Sequence, residues 1–303
     1  MRDLVELSDE QLEIQRTCRE FAAREIRPIS RAVDEADVEV PWEIWRKAAK
    51  LGLTSFMLPA EYGGAGMTDC LTACVVQEEL SHGCAGIGNL ITSGGFFAEP
   101  ILALGCDQQK ERWLRPLTGE NPPLTALAIT EPASGSDAAS IRTRARRLED
   151  GYVLSGQKAW TSNGGVASSY VVFATVEPGS GYRGITAFLI AGDDAGFSCG
   201  PAIRKMGQRA IPNTELFLDD VFVPEDRRLG EEGMGFRGLM MTFDRSRVTL
   251  AASATGLARA ALEFATQYAK ERVQFGKPIS EHQAVAFRVA DMALRVDASR
   301  LLT

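Results

Sequence analysis

Thr130-Glu131-Pro132-Ala133-Ser134-Gly135-Ser136-Asp137 is the stretch around which we interpret the chain. It directly follows an apolar run, Leu124 to Ile129, whose pattern predicts a buried strand. Glycine, proline and hydroxyl residues in such a turn leave backbone N–H groups without partners. Free N–H groups and hydroxyls suit a phosphate or the polar edge of a flavin ring. A Ser/Gly loop after a strand is also common in proteins of any function, so this stretch alone leaves both interpretations open.

A second stretch, Gly156-Gln157-Lys158-Ala159-Trp160-Thr161-Ser162-Asn163-Gly164-Gly165, adds a large aromatic face and further hydroxyls. Four shorter motifs follow in order: Met206-Gly207-Gln208-Arg209, Val221-Phe222-Val223-Pro224, Glu271-Arg272-Val273-Gln274-Phe275-Gly276-Lys277 and His282-Gln283. Together these stretches resemble the acyl-CoA dehydrogenase family, in its medium- and short-chain type. The resemblance covers essentially the whole chain, in the order and at spacings similar to those of the family.

Composition limits the kinds of partner that we expect. The chain has 303 residues, 45% of them hydrophobic, and a net charge of −7. It is long enough for two or three domains or one large one. Without a basic block, neither nucleic acid nor an anionic membrane is expected as a main partner. No apolar run is expected to approach the length of a membrane span. The start, Met1 to Glu6, lacks the apolar region of a signal peptide.

The cysteines and histidines narrow the chemistry further. The six cysteines contain no Cys-x-x-Cys spacing, which fits a reducing cytoplasm. Because His82 and His282 are the two histidines of the chain, a histidine-rich metal site is excluded, and few histidines could serve as the base of a Ser-His triad. We therefore expect no metal.

The chain's patterning predicts an α+β fold in three parts. Residues 1–120 are expected to form a helical domain. Its first helix begins at the capping box Ser8-x-x-Gln11 and ends at Pro28, and a later one is capped by Asp69. Short β-branched or aromatic runs separated by turn signals predict an antiparallel, barrel-like β domain over residues 121–234. Helical periodicity returns over residues 235–303, where the resemblance implies the start of a C-terminal helical bundle.

The resemblance implies FAD as cofactor and assigns residues to it. Ile129 and Thr130 would bond the pyrimidine edge of the isoalloxazine ring, Trp160 would cover the ring and Ser162 would bond near its reactive N5. Some relatives carry tyrosine at the position of Leu127, where leucine donates no hydrogen bond. Ser136 would meet both the flavin pyrophosphate region and the bound acyl-CoA.

Two further groups are implied by the resemblance. Asp244, Arg245, Ser246 and Arg247 would lie along the substrate, with Arg247 near its CoA portion. Some members, such as isovaleryl-CoA dehydrogenase, carry their catalytic glutamate at the position of Ser246, and serine cannot replace that base. A last group would reach the FAD of a neighbouring subunit, which implies a homo-oligomer, usually a tetramer; its members are Arg272, Gln274, Phe275, His282 and Gln283.

The reaction implied is the α,β-dehydrogenation of an acyl-CoA thioester in fatty acid metabolism. A carboxylate takes the α-proton, the β-hydrogen leaves as hydride to flavin N5, and electrons pass to an electron-transfer flavoprotein. In the medium- and short-chain type the base is a glutamate past the position of Thr303, so we expect the chain to be C-terminally truncated and leave the catalytic residue unassigned. Glu131 and Asp137 are expected to shape the turn. A flavin monooxygenase or oxidase of the same fold, or a truncated non-catalytic FAD or acyl-CoA binding protein, are the alternatives.

Overall fold

The structure is a computed structural model that describes residues 6–37 and 39–303. The prediction that the chain does not start with a signal peptide concerned Met1 to Glu6, of which Met1 to Val5 lie outside the described residues. The chain divides into two compact units. One comprises the described residues up to Arg31 together with Asp69–Asn89 and Arg247–Thr303, and the other comprises Ala32–Thr68 and Leu90–Ser246.

Helices occupy both ends of the described chain, as the sequence predicts. Their bounds are α1 Asp9–Phe21, α2 Ser30–Ala36, α3 Trp42–Lys50, α4 Cys70–Gly83, α5 Ala85–Thr92, α6 Gly94–Leu104, α7 Asp107–Leu114, α8 Gly235–Glu271 and α9 Gln283–Leu302.

The strands lie mainly between α7 and α8. Their bounds are β1 Thr125–Ala128, β2 Arg144–Arg147, β3 Gly151–Ser162, β4 Ser169–Thr175, β5 Ile185–Ala191, β6 Phe197–Cys199, β7 Asn213–Pro224, β8 Arg228–Leu229, β9 Val273–Gln274 and β10 Lys277–Pro278. The last two form a separate hairpin between α8 and α9.

The first helix begins as predicted but does not end where expected. The hydroxyl of Ser8 accepts from the N–H of Gln11, and the side chain of Gln11 accepts from the N–H of Ser8, so the capping box is confirmed. The prediction that Pro28 ends the helical path is wrong. A π-helical turn and a 3-10 turn, Arg27–Ile29, carry the chain from α1 into α2. Pro28 lies in the first positions of the new turn, where its missing N–H has no partner to lose.

We expect Ser8→Ala to lower the free energy of unfolding by about 1 kcal/mol, because the N–H of Gln11 in the first turn of α1 loses its acceptor. Urea denaturation followed by far-UV circular dichroism measures the change. Ser299→Ala on the exposed side of α9 is the matched control and should be neutral or slightly stabilising. Equal effects of the two substitutions would contradict the capping role.

A mixed eight-stranded sheet forms the centre of the second unit. Seven strands follow the order β6-β7-β3-β2-β4-β5-β8, and β1 pairs with β4. Most neighbours are antiparallel, as predicted, but β1 and β2 each run parallel to β4. β4 is buried on both faces: Val171 and Phe173 pack into one hydrophobic cluster, whereas Tyr170 and Val172 pack into another. Burial on both faces explains why this strand is a continuous apolar run.

One helical stretch is longer and more apolar than the sequence analysis predicted. Residues 85–104 have a mean hydropathy of 1.3 and are long and apolar enough, by length and composition only, to cross a membrane. The expectation that no apolar run approaches that length is therefore wrong. A core helix passes the same test, and 44% of this stretch is buried in the protein. Buried side chains such as Ile87, Leu90 and Phe97 account for its apolar character in the fold.

Candidate functional site

The two motif stretches of the sequence meet at the end of β1. The N–H of Ala159 in β3 donates to the carbonyl oxygen of Thr130 at 2.8 Å. The Lys158 ammonium donates to the carbonyl oxygen of Ile129 at 3.1 Å. The segment directly after β1, Ile129 and Thr130, is thus tied to the two residues just before Trp160, although the two motifs are separated along the chain.

A buried ion pair holds this junction together. Lys158 is 0% exposed, and its Nζ lies 2.8 Å from Oε1 of Glu131. The Glu131 carboxylate also accepts from the N–H groups of Arg142 and Thr143 and from the Thr143 hydroxyl, at 2.6, 2.9 and 2.6 Å. These contacts agree with the expectation that Glu131 shapes the turn. The carboxylate therefore connects the turn after β1 to both β2 and β3.

Burial and charge act in opposite directions on this pair. Burial lowers the pKa of Lys158 to about 8, although the Glu131 carboxylate opposes the shift. Burial alone would raise the pKa of Glu131, but the charge and hydrogen bond of Lys158 and the other donors outweigh it, so the pKa is lowered. Both groups are therefore charged at neutral pH, in a place where each depends on the other.

Trp160 is presented to the outside by an irregularity of β3. The pairing of β3 with β7 shifts register between Lys158 and Thr161, and Trp160 between them has φ +56°. A left-handed backbone is uncommon for a bulky residue and costs about 1–3 kcal/mol, so the surrounding pairing must impose it. The bulge turns the indole outward and leaves Trp160 57% exposed. A large flat apolar face therefore lies beside the end of β1.

The residues after Trp160 are fixed by amide groups. The Asn163 side chain donates to the Ser93 hydroxyl and to the Thr125 carbonyl oxygen, both at 3.0 Å, which ties the end of β3 to β1. Ser162 is exposed next to it, and its hydroxyl accepts from the Asn213 side chain at 3.2 Å. Trp160 and Ser162 thus lie next to each other on an anchored strand end.

The turn after β1 offers backbone donors. Glu131 and Ser134 exchange two backbone hydrogen bonds of 2.8 and 3.1 Å, and the Ser134 hydroxyl donates to the Asp137 carbonyl oxygen at 2.6 Å. Across the described residues, the N–H groups of Gly135 and Ser136 donate to no other backbone group, and both residues are exposed. Adjacent free N–H groups in a tight turn are a donor set that suits a phosphate.

These observations fit the cofactor implied by the sequence. FAD needs a flat apolar face for its ring, hydrogen-bonding groups at the ring edge and donors for its pyrophosphate. Trp160 would supply the face, Ser162 a hydroxyl, and the 135–136 turn the donors. Leu127, Ile129 and Thr130 lie at the end of β1, within the same unit. The residues at the end of β1, the end of β3 and the 135–136 turn therefore fit FAD.

The segment expected along the substrate lies early in α8. Arg245 donates to the Thr68 carbonyl oxygen and forms an ion pair with Glu99 at 3.3 Å. Burial raises the pKa of Glu99, although the charge of Arg245 opposes the shift. The Ser246 hydroxyl donates to the Phe243 carbonyl oxygen at 3.3 Å. Arg245 thus holds the loop ending at Thr68 against α6, a role that the sequence did not suggest.

The last predicted group forms a separate cluster in the first unit, which also contains Arg247. Arg272, Gln274 and Phe275 lie in or beside the β9–β10 hairpin, and His282 and Gln283 begin α9. His282 stacks edge-on to Phe275 with ring centroids 5.8 Å apart, and its Nε2 lies 3.3 Å from the Gln274 carbonyl oxygen. Phe275 is almost fully exposed. The structure brings these residues together with one another.

Sequence reasoning missed three residues of the second unit that contact the site or its supports: Glu99, Lys205 and Asn213. Glu99 and Asn213 act through contacts far away in sequence. Lys205 acts through Asn213, eight residues further along, so its role depends on that distant contact too. Over residues 6–37 and 39–303, no group of three or more His, Cys, Asp or Glu side chains could hold a metal ion. The six cysteines are free thiols.

Comparison with known proteins gives matches along the whole chain. Models of the acyl-CoA dehydrogenase N-terminal, middle and C-terminal domains match residues 8–121, 126–221 and 233–303. The chain is 44% identical over 285 residues to cyclohex-1-ene-1-carbonyl-CoA dehydrogenase from Geobacter metallireducens, covering 94% of this chain and 74% of that protein. It is 39% identical over 300 residues to the mitochondrial short-chain specific acyl-CoA dehydrogenase of Bos taurus, covering 99% and 72%.

The fold is similar to a solved structure of the same kind. Butyryl-CoA dehydrogenase from Megasphaera elsdenii superposes with a TM-score of 0.92 at 37% sequence identity, over 98% of this chain and 78% of that one. The order of helical, sheet and helical regions predicted from the sequence is therefore confirmed.

Proposed function

The chain belongs to the acyl-CoA dehydrogenase family, and from that premise we propose that it oxidises the α,β carbon–carbon bond of a short acyl-CoA thioester. Members of the family are FAD-dependent oxidoreductases acting on CH–CH bonds. The observation that carries the proposal is the junction of the two motifs: Thr130, Trp160 and Ser162 lie on strand ends joined by the Ala159–Thr130 and Lys158–Ile129 hydrogen bonds.

The chain's residues would bind and orient the reacting groups. Ile129 and Thr130 bond the ring edge, Leu127 packs beside them, Trp160 covers the ring and Ser162 bonds near N5. The turn at Ser136 holds the pyrophosphate region and meets the acyl-CoA. When bound, FAD supplies the acceptor for the hydride that leaves the β-carbon. Hydrogen-bond donors around the thioester carbonyl must stabilise the developing enolate.

The start of α8 would contact the substrate, and a carboxylate would act as the base. Asp244, Ser246 and Arg247 lie along the acyl-CoA, with Arg247 near the CoA portion, while Arg245 positions the loop that ends at Thr68. The α-proton passes to a carboxylate. The resemblance places that glutamate past the position of Thr303, and we assign no residue of this chain to the role.

Substrate class follows from the relatives. Among the matching proteins, one is named short-chain specific and one butyryl-CoA dehydrogenase, whereas a third acts, by its name, on a cyclic acyl group. We assign this chain a short linear acyl-CoA, with the cyclic ester as the competing candidate. Its six free thiols suit a reducing cytoplasm.

The assembly is also part of the proposal. We divide the chain functionally at residues 1–120, 121–234 and 235–303. Exposed hydrophobic side chains in the first unit, such as Phe264, Tyr268 and Phe275, suit an interface between copies of the chain. A homotetramer would place one subunit's hairpin against the FAD of its neighbour through a set of five residues: Arg272, Gln274, Phe275, His282 and Gln283. Electrons then pass to an electron-transfer flavoprotein.

An anaerobic titration tests the activity. The FAD-loaded protein is mixed with butyryl-CoA, octanoyl-CoA or cyclohex-1-ene-1-carbonyl-CoA, and the flavin absorbance near 450 nm is followed. With the glutamate expected past the position of Thr303 present in the protein, we expect butyryl-CoA to bleach the band most completely. A band that shifts without bleaching would favour a non-catalytic binding protein. Rapid reoxidation of the bleached protein by oxygen would favour an oxidase or monooxygenase, and a protein that takes up no FAD would refute the flavoenzyme proposal.

A further inference from the structure

Asn213 is a buried residue at the start of β7, opposite the end of β3 that carries Trp160 and Ser162. It begins β7 and pairs directly with Ser162, the last residue of β3. Asn213 is 8% exposed, and its Nδ2 donates to the Trp160 carbonyl oxygen at 3.0 Å and to the Ser162 hydroxyl oxygen at 3.2 Å. Both protons of the amide are therefore used on the two residues assigned to the flavin ring.

Lys205 fixes which way this amide points. Its Nζ donates to Oδ1 of Asn213 at 2.5 Å and also to the Ile211 carbonyl oxygen. An ammonium group has three donors and no acceptor, so the atom of Asn213 that faces it must be the carbonyl oxygen. Turning the amide over would place NH₂ against NH₃⁺, two donor groups with no acceptor between them. The nitrogen of Asn213 is thereby held towards Ser162.

The orientation of the amide determines what the Ser162 hydroxyl can do. An oxygen that accepts from Nδ2 must send its own proton in another direction. In the part of the chain that the structure describes, the Ser162 hydroxyl makes no second hydrogen bond, and the residue is exposed. The hydroxyl therefore offers a donor on the face where Trp160 presents its ring.

We propose that Asn213 and Lys205 are positioning residues that hold the Ser162 hydroxyl as a hydrogen-bond donor to the flavin ring. The inference rests on the proposed function, because the acceptor is the cofactor. A donated hydrogen bond stabilises the more electron-rich state of its acceptor. Loss of the donor should therefore lower the flavin midpoint potential and weaken FAD binding about three- to tenfold, the effect of one hydrogen bond.

Asn213→Asp tests this with almost no change of shape. A carboxylate keeps its contact with Lys205 but has acceptors only, so it would take the proton of Ser162. We expect Asn213→Asp to lower the midpoint potential as Ser162→Ala does. It also removes the donor to the Trp160 carbonyl oxygen, so its FAD dissociation constant should rise at least as much. The double variant should show no further change in the potential. Asn121→Asp, the same replacement at an exposed site, is the control and should leave both quantities unchanged.

Two results would overturn the inference. One is a wild-type potential and FAD affinity in Asn213→Asp. The other is a shift as large in the Ser162→Ala background as in the wild type, which would indicate the new charge and not the hydroxyl. Lys205→Met gives an independent variant: it should shift the potential in the same direction, again only when Ser162 is present, and Lys205→Arg should restore it. Bleaching of the wild-type flavin by an acyl-CoA tests the proposed function separately.

Discussion

Glu131→Gln is expected to lower the free energy of unfolding at pH 7 by about 3–5 kcal/mol, the usual cost of breaking a buried ion pair by removing one partner. The substitution leaves the Lys158 ammonium fully buried with no counter-charge. Lys158 must then either stay charged in the interior or lose its proton on folding. Both outcomes penalise the folded state, and both disturb the Ile129 and Thr130 backbone to which β3 is tied.

The penalty should shrink as the pH rises. In the wild type the pKa of Lys158 is lowered to about 8 in the folded state, below its ordinary value of 10.5. Between these values the unfolded chain holds more protons, so this group makes stability increase with pH. Without Glu131 the pKa of Lys158 in the folded state falls further. The pH range in which stability increases with pH therefore begins at a lower pH. Once Lys158 is neutral in both proteins, the missing carboxylate matters less.

Urea denaturation at pH 7, 8 and 9 measures this effect. Glu149→Gln removes an exposed carboxylate from the turn before β3 and should change the stability by less than about 0.5 kcal/mol at each pH. The double variant Glu131→Gln with Lys158→Met should recover part of the loss, since no charge is then buried. A penalty that stays constant over this pH range would argue against a charged Lys158 as its cause.

The sequence predicted the elements of the site better than their connections. Thr130, Trp160 and Ser162 could be selected because they lie in motifs, and the strands that carry them have local apolar patterns. The left-handed backbone of Trp160 could not be predicted, because it results from a register shift against β7. The Lys158–Glu131 pair was missed for a similar reason: the partners meet only when β3 lies beside the turn after β1.

The misjudged elements also have physical causes. β2, Arg144–Arg147, is rich in arginine and lacks an apolar run, so its pairing with β3 decides its conformation. Pro28 was expected to end a helix because a proline inside an α-helix costs a hydrogen bond, but the chain starts a new turn there. The parallel pairing of β1 with β4 depends on a long connection that leaves no sequence signal.

Gly256 is the contact point between two helices of the first unit. A Cβ at this position of α8 would lie 2.2 Å from the Glu78 carbonyl oxygen and 3.1 Å from the His82 nitrogen, both in the backbone of α4. Neither atom can move without moving the helix. On α4, the Glu78 and Glu79 side chains also hold Arg259 of α8 at 2.7 and 2.5 Å, so separating the helices would strain these ion pairs.

We therefore expect Gly256→Ala to lower the free energy of unfolding by about 2–3 kcal/mol, although alanine improves helix propensity by about 1 kcal/mol. Gly238→Ala in the same helix is the matched control. Its Cβ would meet only the side chain of Leu104, which can change rotamer, so the steric cost and the propensity gain should nearly cancel. Urea denaturation of both variants measures the difference. A Gly256→Ala protein as stable as Gly238→Ala would mean that α4 and α8 can move apart at little cost, and that their close approach at Gly256 does not determine how they pack.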